Sequence, residues 1–92
     1  EMRRIGLDCA EEATKKRVLH TTGATLEGAR IVAAQRRVGE VGAVCVIGGG
    51  AHHAFFDYGS GFCVFNDVAV AAVALLREDA TCRVLSLDLD VH

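Results

Sequence analysis

The sequence predicts an α/β fold in which a parallel sheet carries a βαβ unit. Residues 41–47, VGAVCVI, form a short apolar run rich in β-branched side chains and closed by Gly48, Gly49 and Gly50. Phe65, Val68, Ala69, Ala72, Val73 and Leu76 recur at helical spacing. A second short run, residues 82–88, then leads into a strict alternation of apolar and polar residues. Strand, helix and strand in this order predict two parallel strands, adjacent or nearly so, joined by a right-handed crossover.

Along the chain, residues 2–8 read as a connecting segment. Asp8, with Glu11 three residues on, has capping-box spacing and predicts a helix over 9–20. Thr22 or Gly23 ends that helix; Thr25 starts a second one, which runs to about Arg37 with Gly39 as its stop. The run 41–47 has the continuous apolar character of a strand buried on both faces. A glycine-containing loop follows through Gly61. Asn66 or Asp67 caps a helix over 68–78, which is apolar nearly all round and so is expected to be covered on most sides. Arg77, Glu78 and Asp79 mark its exit, and residues 82–88 form the second strand.

Ninety-two residues hold at most one small domain, and 51% hydrophobic residues supply a core. The net charge of −2 and the short basic pairs Arg3-Arg4, Lys15-Lys16-Arg17 and Arg36-Arg37 fit solvated helix faces; no basic block points to nucleic acid or a membrane surface. The longest apolar run, nine residues over 68–76, is too short to span a bilayer. Cys9, Cys45, Cys63 and Cys82 form no CxxC pair and read as reduced thiols of a cytoplasmic protein. The chain opens on Glu1 and stops inside the polar/apolar alternation, which predicts a fragment of a longer protein.

The chemistry gathers at the carboxyl ends of the two expected strands, where open parallel sheets collect ligands. In SLDLDVH, Leu85, Leu87, Leu89 and Val91 share one face; Ser86, Asp88, Asp90 and His92 share the other. Asp90 and His92 can converge on one ion about 2.0–2.2 Å from each. Taken alone, the pattern fits equally well a strand emerging into solvent. In GGGAHHAFFDYGSGFC, residues 48–63, His52 and His53 lie between glycines that permit positive φ and close backbone approach. An adjacent pair of histidines in a loop is by itself an ordinary surface feature. Placed beside an aspartate, however, an imidazole is held in one tautomer and serves as a base.

Together, GGGAHHAFFDYGSGFCVFNDVAVAA and VLSLDLDVH resemble the histone deacetylase family, zinc-dependent amidohydrolases of the three-layer arginase/deacetylase fold. The resemblance rests on a glycine-HisHis-Ala segment, Gly-Phe-Cys with an asparagine shortly after, and Asp-x-Asp-x-His, over roughly residues 42–92. The absence of prolines before the histidines is similar to class IV and its bacterial relatives, as is RRIGL at residues 3–7, less specifically. The resemblance implies that residues 1–92 are the amino-terminal part of a deacetylase catalytic domain, truncated after His92, acting on acylated lysine or a related acylated amine.

It further implies zinc ligands at Asp90 and His92, with a third aspartate and a transition-state tyrosine further downstream. His53 is then the general base and His52 its electrostatic or acid partner. Asp88 binds His52 and shares a monovalent-cation site, with potassium as the ion. Gly61 and Phe62 line the acyl-lysine channel, with Cys63 near its inner end. Two alternatives stand beside this: a ureohydrolase with two manganese ions, and a non-catalytic binding module on the same fold. The remaining residues have plainer readings: His20 as a surface residue near a helix carboxyl end, Asn66-Asp67 as a helix cap, Phe55 and Phe56 as a pocket rim or core, and Tyr58 with no role. The sequence carries no signal for oligomeric state.

Overall fold

A computed structural model describes residues 5–92. The Arg3-Arg4 pair and the start of the expected connecting segment lie outside the described residues. Two helices form the framework, α1 over Glu12–Arg37 and α2 over Asp67–Glu78.

The capping box expected at the start of α1 is not formed. Asp8 instead makes a turn ahead of the helix: its Oδ1 accepts the Ala10 N–H at 2.9 Å and its carbonyl accepts the Glu11 N–H at 3.3 Å. Glu11 is the N-cap residue but makes no side-chain cap bond; its Oε2 accepts the Thr14 hydroxyl at 3.0 Å.

The break expected at Thr22 or Gly23 is also absent, and α1 runs through as one helix. Thr22 Oγ1 donates back to the Val18 carbonyl at 2.9 Å, so its hydroxyl is satisfied without leaving the helix. Gly23 costs only about 1 kcal/mol relative to alanine in a helix interior, a penalty that packing along the rest of the helix overrides. His20 consequently lies exposed in mid-helix, not near a carboxyl end. The expected stop does hold. Gly39, at φ 80°, donates to the Arg36 carbonyl at 3.0 Å, and Glu40 N–H reaches the Gln35 carbonyl at 3.0 Å. This is a Schellman close, which needs the left-handed residue that glycine supplies.

Asn66 caps α2 as expected, its Oδ1 accepting the Ala69 N–H at 2.9 Å. The two helices pack together, and Arg30 on α1 donates from Nε and Nη2 to Glu78 Oε1 at 2.9 and 2.6 Å. Small residues line the inner face of α1. At Gly28, which is buried, a Cβ would stand 2.9 Å from Val44 Cγ1, so the 41–47 segment lies directly on the helix there.

The parallel sheet is not formed among the described residues. No ladder joins residues 41–47 to 82–88, and the one β-bridge described is Ser60 to Cys63. A strand exists through its neighbour's N–H and C=O groups. Here both segments border a groove of about 590 Å³ against α1 and α2, lined by Val44, Val46, Leu75 and Val84 among others, rather than bonding each other. Without a sheet, the expected cover of α2 is also incomplete. Val70, Val73 and Leu76 are 39–47% exposed, and Leu85, Leu87, Leu89 and Val91 are 79–91% exposed. Among the described residues the buried apolar side chains are Ile5, Ala54 and Ala71. All four cysteines are free. Among the described residues, no helix is long and apolar enough to cross a membrane.

Candidate active site

The loop after residues 41–47 uses its glycines as the sequence suggested. Gly48 and Gly50 both sit at φ 87°, a region that other residues enter at a cost of roughly 1–2 kcal/mol. The His52 N–H then closes a three-residue turn onto the Gly50 carbonyl at 2.8 Å. The turn sets His52 and His53 with ring centroids 4.2 Å apart and planes at 64°, edge to face.

This loop meets the end of the chain. His52 Nδ1 lies 2.5 Å from Asp88 Oδ2, and its Nε2 lies 3.9 Å from Asp90 Oδ1. The other Asp88 oxygen accepts the Asp90 N–H at 2.9 Å, and Asp90 Oδ1 accepts the His92 N–H at 2.7 Å. The hydrogen bond to Asp88 raises the His52 pKa; partial burial opposes the rise, and the charges of Asp88 and Asp90 add to it. The same contact, with the Asp90 N–H, holds the Asp88 carboxyl below its ordinary value. With Nδ1–H committed to Asp88, His52 keeps Nε2 for the space in front of Asp90.

Residues 60–63 make a two-residue hairpin turn. Ser60 N–H reaches the Cys63 carbonyl at 3.0 Å and Cys63 N–H the Ser60 carbonyl at 2.8 Å, with Gly61 at φ 51° and Phe62 at φ 63°. Positive φ at both central positions defines a type I′ turn, where glycine is at ease and phenylalanine is strained. The Phe62 N–H is held by the Ile5 carbonyl at 2.6 Å, and its ring covers Gly6, where a Cβ would stand 2.8 Å from Cε1. Gly61 backs onto His53, and a Cβ there would stand 2.7 Å from the imidazole Cγ. Cys63 Sγ contacts the Gly61 carbonyl at 3.4 Å. Thus His52, His53, Asp88, Asp90 and His92 come together, Gly61 buttresses His53, and Phe62 turns outward, 72% exposed.

Sequence reasoning read Asn66-Asp67 only as a cap, and the structure gives the pair more. Asp67, 1% exposed, accepts the Gly50 N–H at 3.0 Å, the Ala51 N–H at 2.7 Å and the Thr25 hydroxyl at 2.5 Å. Burial opposes its charge, but these bonds together hold its carboxyl below the ordinary value. Asn66 Nδ2 lies 3.4 Å from both the His52 and Ala54 carbonyls. The available signal was redundancy: two cap-type residues stand where a helix start needs one.

For a metal, Asp90 Oδ1 and His92 Nδ1 lie 3.5 Å apart. Two ligands about 2.0–2.2 Å from a tetrahedral ion stand at about that separation, so this carboxylate–imidazole pair fits zinc. No group of three or more His, Cys, Asp or Glu side chains among the described residues could hold a metal ion. A metal held here would need a ligand beyond this pair.

The histone deacetylase domain model matches residues 6–92. The chain belongs to the histone deacetylase family. An uncharacterized protein of Picosynechococcus sp. is 40% identical over 90 residues, covering 98% of this chain and 28% of that protein. The acetoin utilization protein AcuC of Staphylococcus xylosus is 34% identical over 93 residues, and its counterpart in Staphylococcus aureus strain MSSA476 is 38% identical over 93; each match covers 100% of this chain and 24% or 23% of the relative. The chain thus spans about a quarter of the length of the curated relatives it matches. No solved structure matches it. Family membership agrees with the resemblance carried by the HisHis-Ala and Gly-Phe-Cys motifs.

Proposed function

We propose that these residues are part of a longer catalytic domain that hydrolyses the acyl group from acylated lysine or a related acylated amine. Asp90 and His92 would hold zinc, with a third ligand that the described residues do not supply. Zinc, when bound, polarises the amide carbonyl and lowers the pKa of a coordinated water from 15.7 to about 7. The observation that carries the reading is the 2.5 Å contact from His52 Nδ1 to Asp88 Oδ2, which brings the di-histidine loop onto the Asp-x-Asp-x-His segment.

His53, with no hydrogen-bonded carboxylate partner among the described residues, is free to take a proton from the attacking water. His52, with its pKa raised beside Asp88, serves as a cation that stabilises negative charge on the amide oxygen through Nε2 or gives its proton to the leaving amine. Asp88 orients His52 and, with neighbouring backbone, would share a potassium site. Gly61 and Phe62 would line the acyl channel, with Cys63 at its inner end; the outward, strained Phe62 suits a residue displayed to substrate. Four free thiols suit a reducing cytoplasm.

The test is hydrolysis of an acetyl-lysine peptide and an acetylated diamine by the full-length protein, before and after chelation. Turnover that disappears on chelation and returns with zinc is expected. Turnover unaffected by metal removal, or absent on every acylated amine tried, would overturn the reading.

A further inference from the structure

Asp67 is the most deeply buried of the described polar side chains, at 1% exposure, and among the described residues no ion pair includes it. Burying a carboxylate is costly unless hydrogen bonds replace its water. An aspartate in the first turn of a helix benefits from the macrodipole, yet that benefit needs no burial, and Asn66 already caps α2. What burial adds is the set of bonds to Gly50 and Ala51, immediately before the two histidines. Thr25 completes the set from α1; its hydroxyl has one proton, and Asp67 Oδ2 at 2.5 Å is nearer than the Thr21 carbonyl at 3.2 Å. Gly49 is packed against the same group, with a Cβ position 2.9 Å from Asp67 Oδ2 and 3.0 Å from Thr25 Oγ1. Asn66 adds its contacts to the carbonyls of His52 and Ala54, on either side of His53.

We infer that Asn66 and Asp67 are positioning residues for the two histidines, gripping the backbone before, between and after them from the rigid start of α2. The inference rests on the deacylase reading and extends it. Asp67 holds N–H groups and Asn66 holds carbonyls, so the loop can neither slide nor rotate about its glycines without breaking bonds of both kinds. The rings then keep their edge-to-face arrangement before Asp88 and Asp90 without needing a regular element of their own.

The test uses the zinc-loaded full-length protein and the variants Asn66→Asp and Asp67→Asn. Asn66→Asp is the sharper of the two, because aspartate caps a helix as well as asparagine does but has no N–H to give the His52 and Ala54 carbonyls. Bound zinc, kcat and KM on an acetyl-lysine peptide, and amide hydrogen exchange over residues 50–54 are measured on each. The expected result is unchanged zinc, KM within about twofold, kcat lower by about 10²-fold as for a slightly misplaced catalytic group, and faster exchange over 50–54. A folded Asn66→Asp protein with kcat within about twofold of wild type, or with kcat falling only in step with lost zinc, would overturn the inference. If Asp67→Asn fails to fold, Asn66→Asp decides. If the wild-type protein hydrolyses no acylated amine, the deacylase reading falls separately, and exchange alone judges the grip: unchanged protection over 50–54 in Asn66→Asp refutes it, and lost protection upholds it.

Discussion

At Asp67 one carboxylate links α1, α2 and the di-histidine loop, and its charge state governs that link. Its pKa is lowered in the folded chain, so it contributes stability that is present above the unfolded aspartate value and is lost as pH falls through the folded one. The Gly50 and Ala51 amide signals are therefore expected to stay constant through mildly acidic pH. Apart from the step set at higher pH by the neighbouring His52, they should move only below the ordinary aspartate range, and an NMR titration of both amides checks this. Beyond that step, a midpoint at or above the ordinary aspartate value would contradict it. The neighbouring His52–Asp88 contact was legible, because both residues lie in motifs at the carboxyl ends of the two expected strands and the deacetylase resemblance pairs them. Asp67 was not legible in the sequence: an aspartate in the first turn of a helix has a sufficient local explanation, and its bonds to Gly50 and Ala51 span 17 and 16 residues.

Among the elements, α1 shows where local signals mislead. Thr22 and Gly23 read as an end, yet threonine hydroxyls bond back along the helix and a single glycine is a small penalty. Two glycines of the same helix make opposite predictions. Gly23 is exposed, with nothing within 4 Å of the place a methyl group would take, so Gly23→Ala should stabilise the full-length protein by about 0.5–1 kcal/mol in denaturant unfolding. Gly28 is buried under Val44, so Gly28→Ala forces the 41–47 segment away. It should cost about 1–3 kcal/mol, the usual range for overpacking. These opposite expectations would be upset if both substitutions shifted stability the same way. The two expected strands form no ladder among the described residues for a different reason. Their apolar, β-branched composition is plain in the sequence, but a ladder also requires a neighbouring backbone, and composition does not say where that neighbour comes from.

The whole molecule exposes more than a chain of its size should. Its accessible surface is 7129 Å², against about 5,200 Å² from the size scaling of folded monomers. Much of the excess is apolar, on the bare leucine face of residues 85–91 and the outer side of α2. This agrees with a chain spanning 23–28% of its curated relatives. The purified 92-residue chain is expected to bind a hydrophobic dye strongly and to show no zinc-dependent deacylation, since its described residues offer only the proposed pair Asp90 and His92 where catalytic zinc sites have three protein ligands plus water. Robust deacylation by this chain alone would refute the proposed division of the site.

The central claim is that Asp90 and His92 serve the metal while His53 serves turnover. Zinc content and turnover measured on the same preparations of full-length Asp90→Ala and His53→Ala test it most directly. Asp90→Ala is expected to lose zinc, whereas His53→Ala is expected to retain zinc and to lose about 10²–10⁴-fold in kcat, the usual contribution of a positioned base. Undiminished zinc affinity in Asp90→Ala by calorimetry, or wild-type turnover in His53→Ala, would contradict the account.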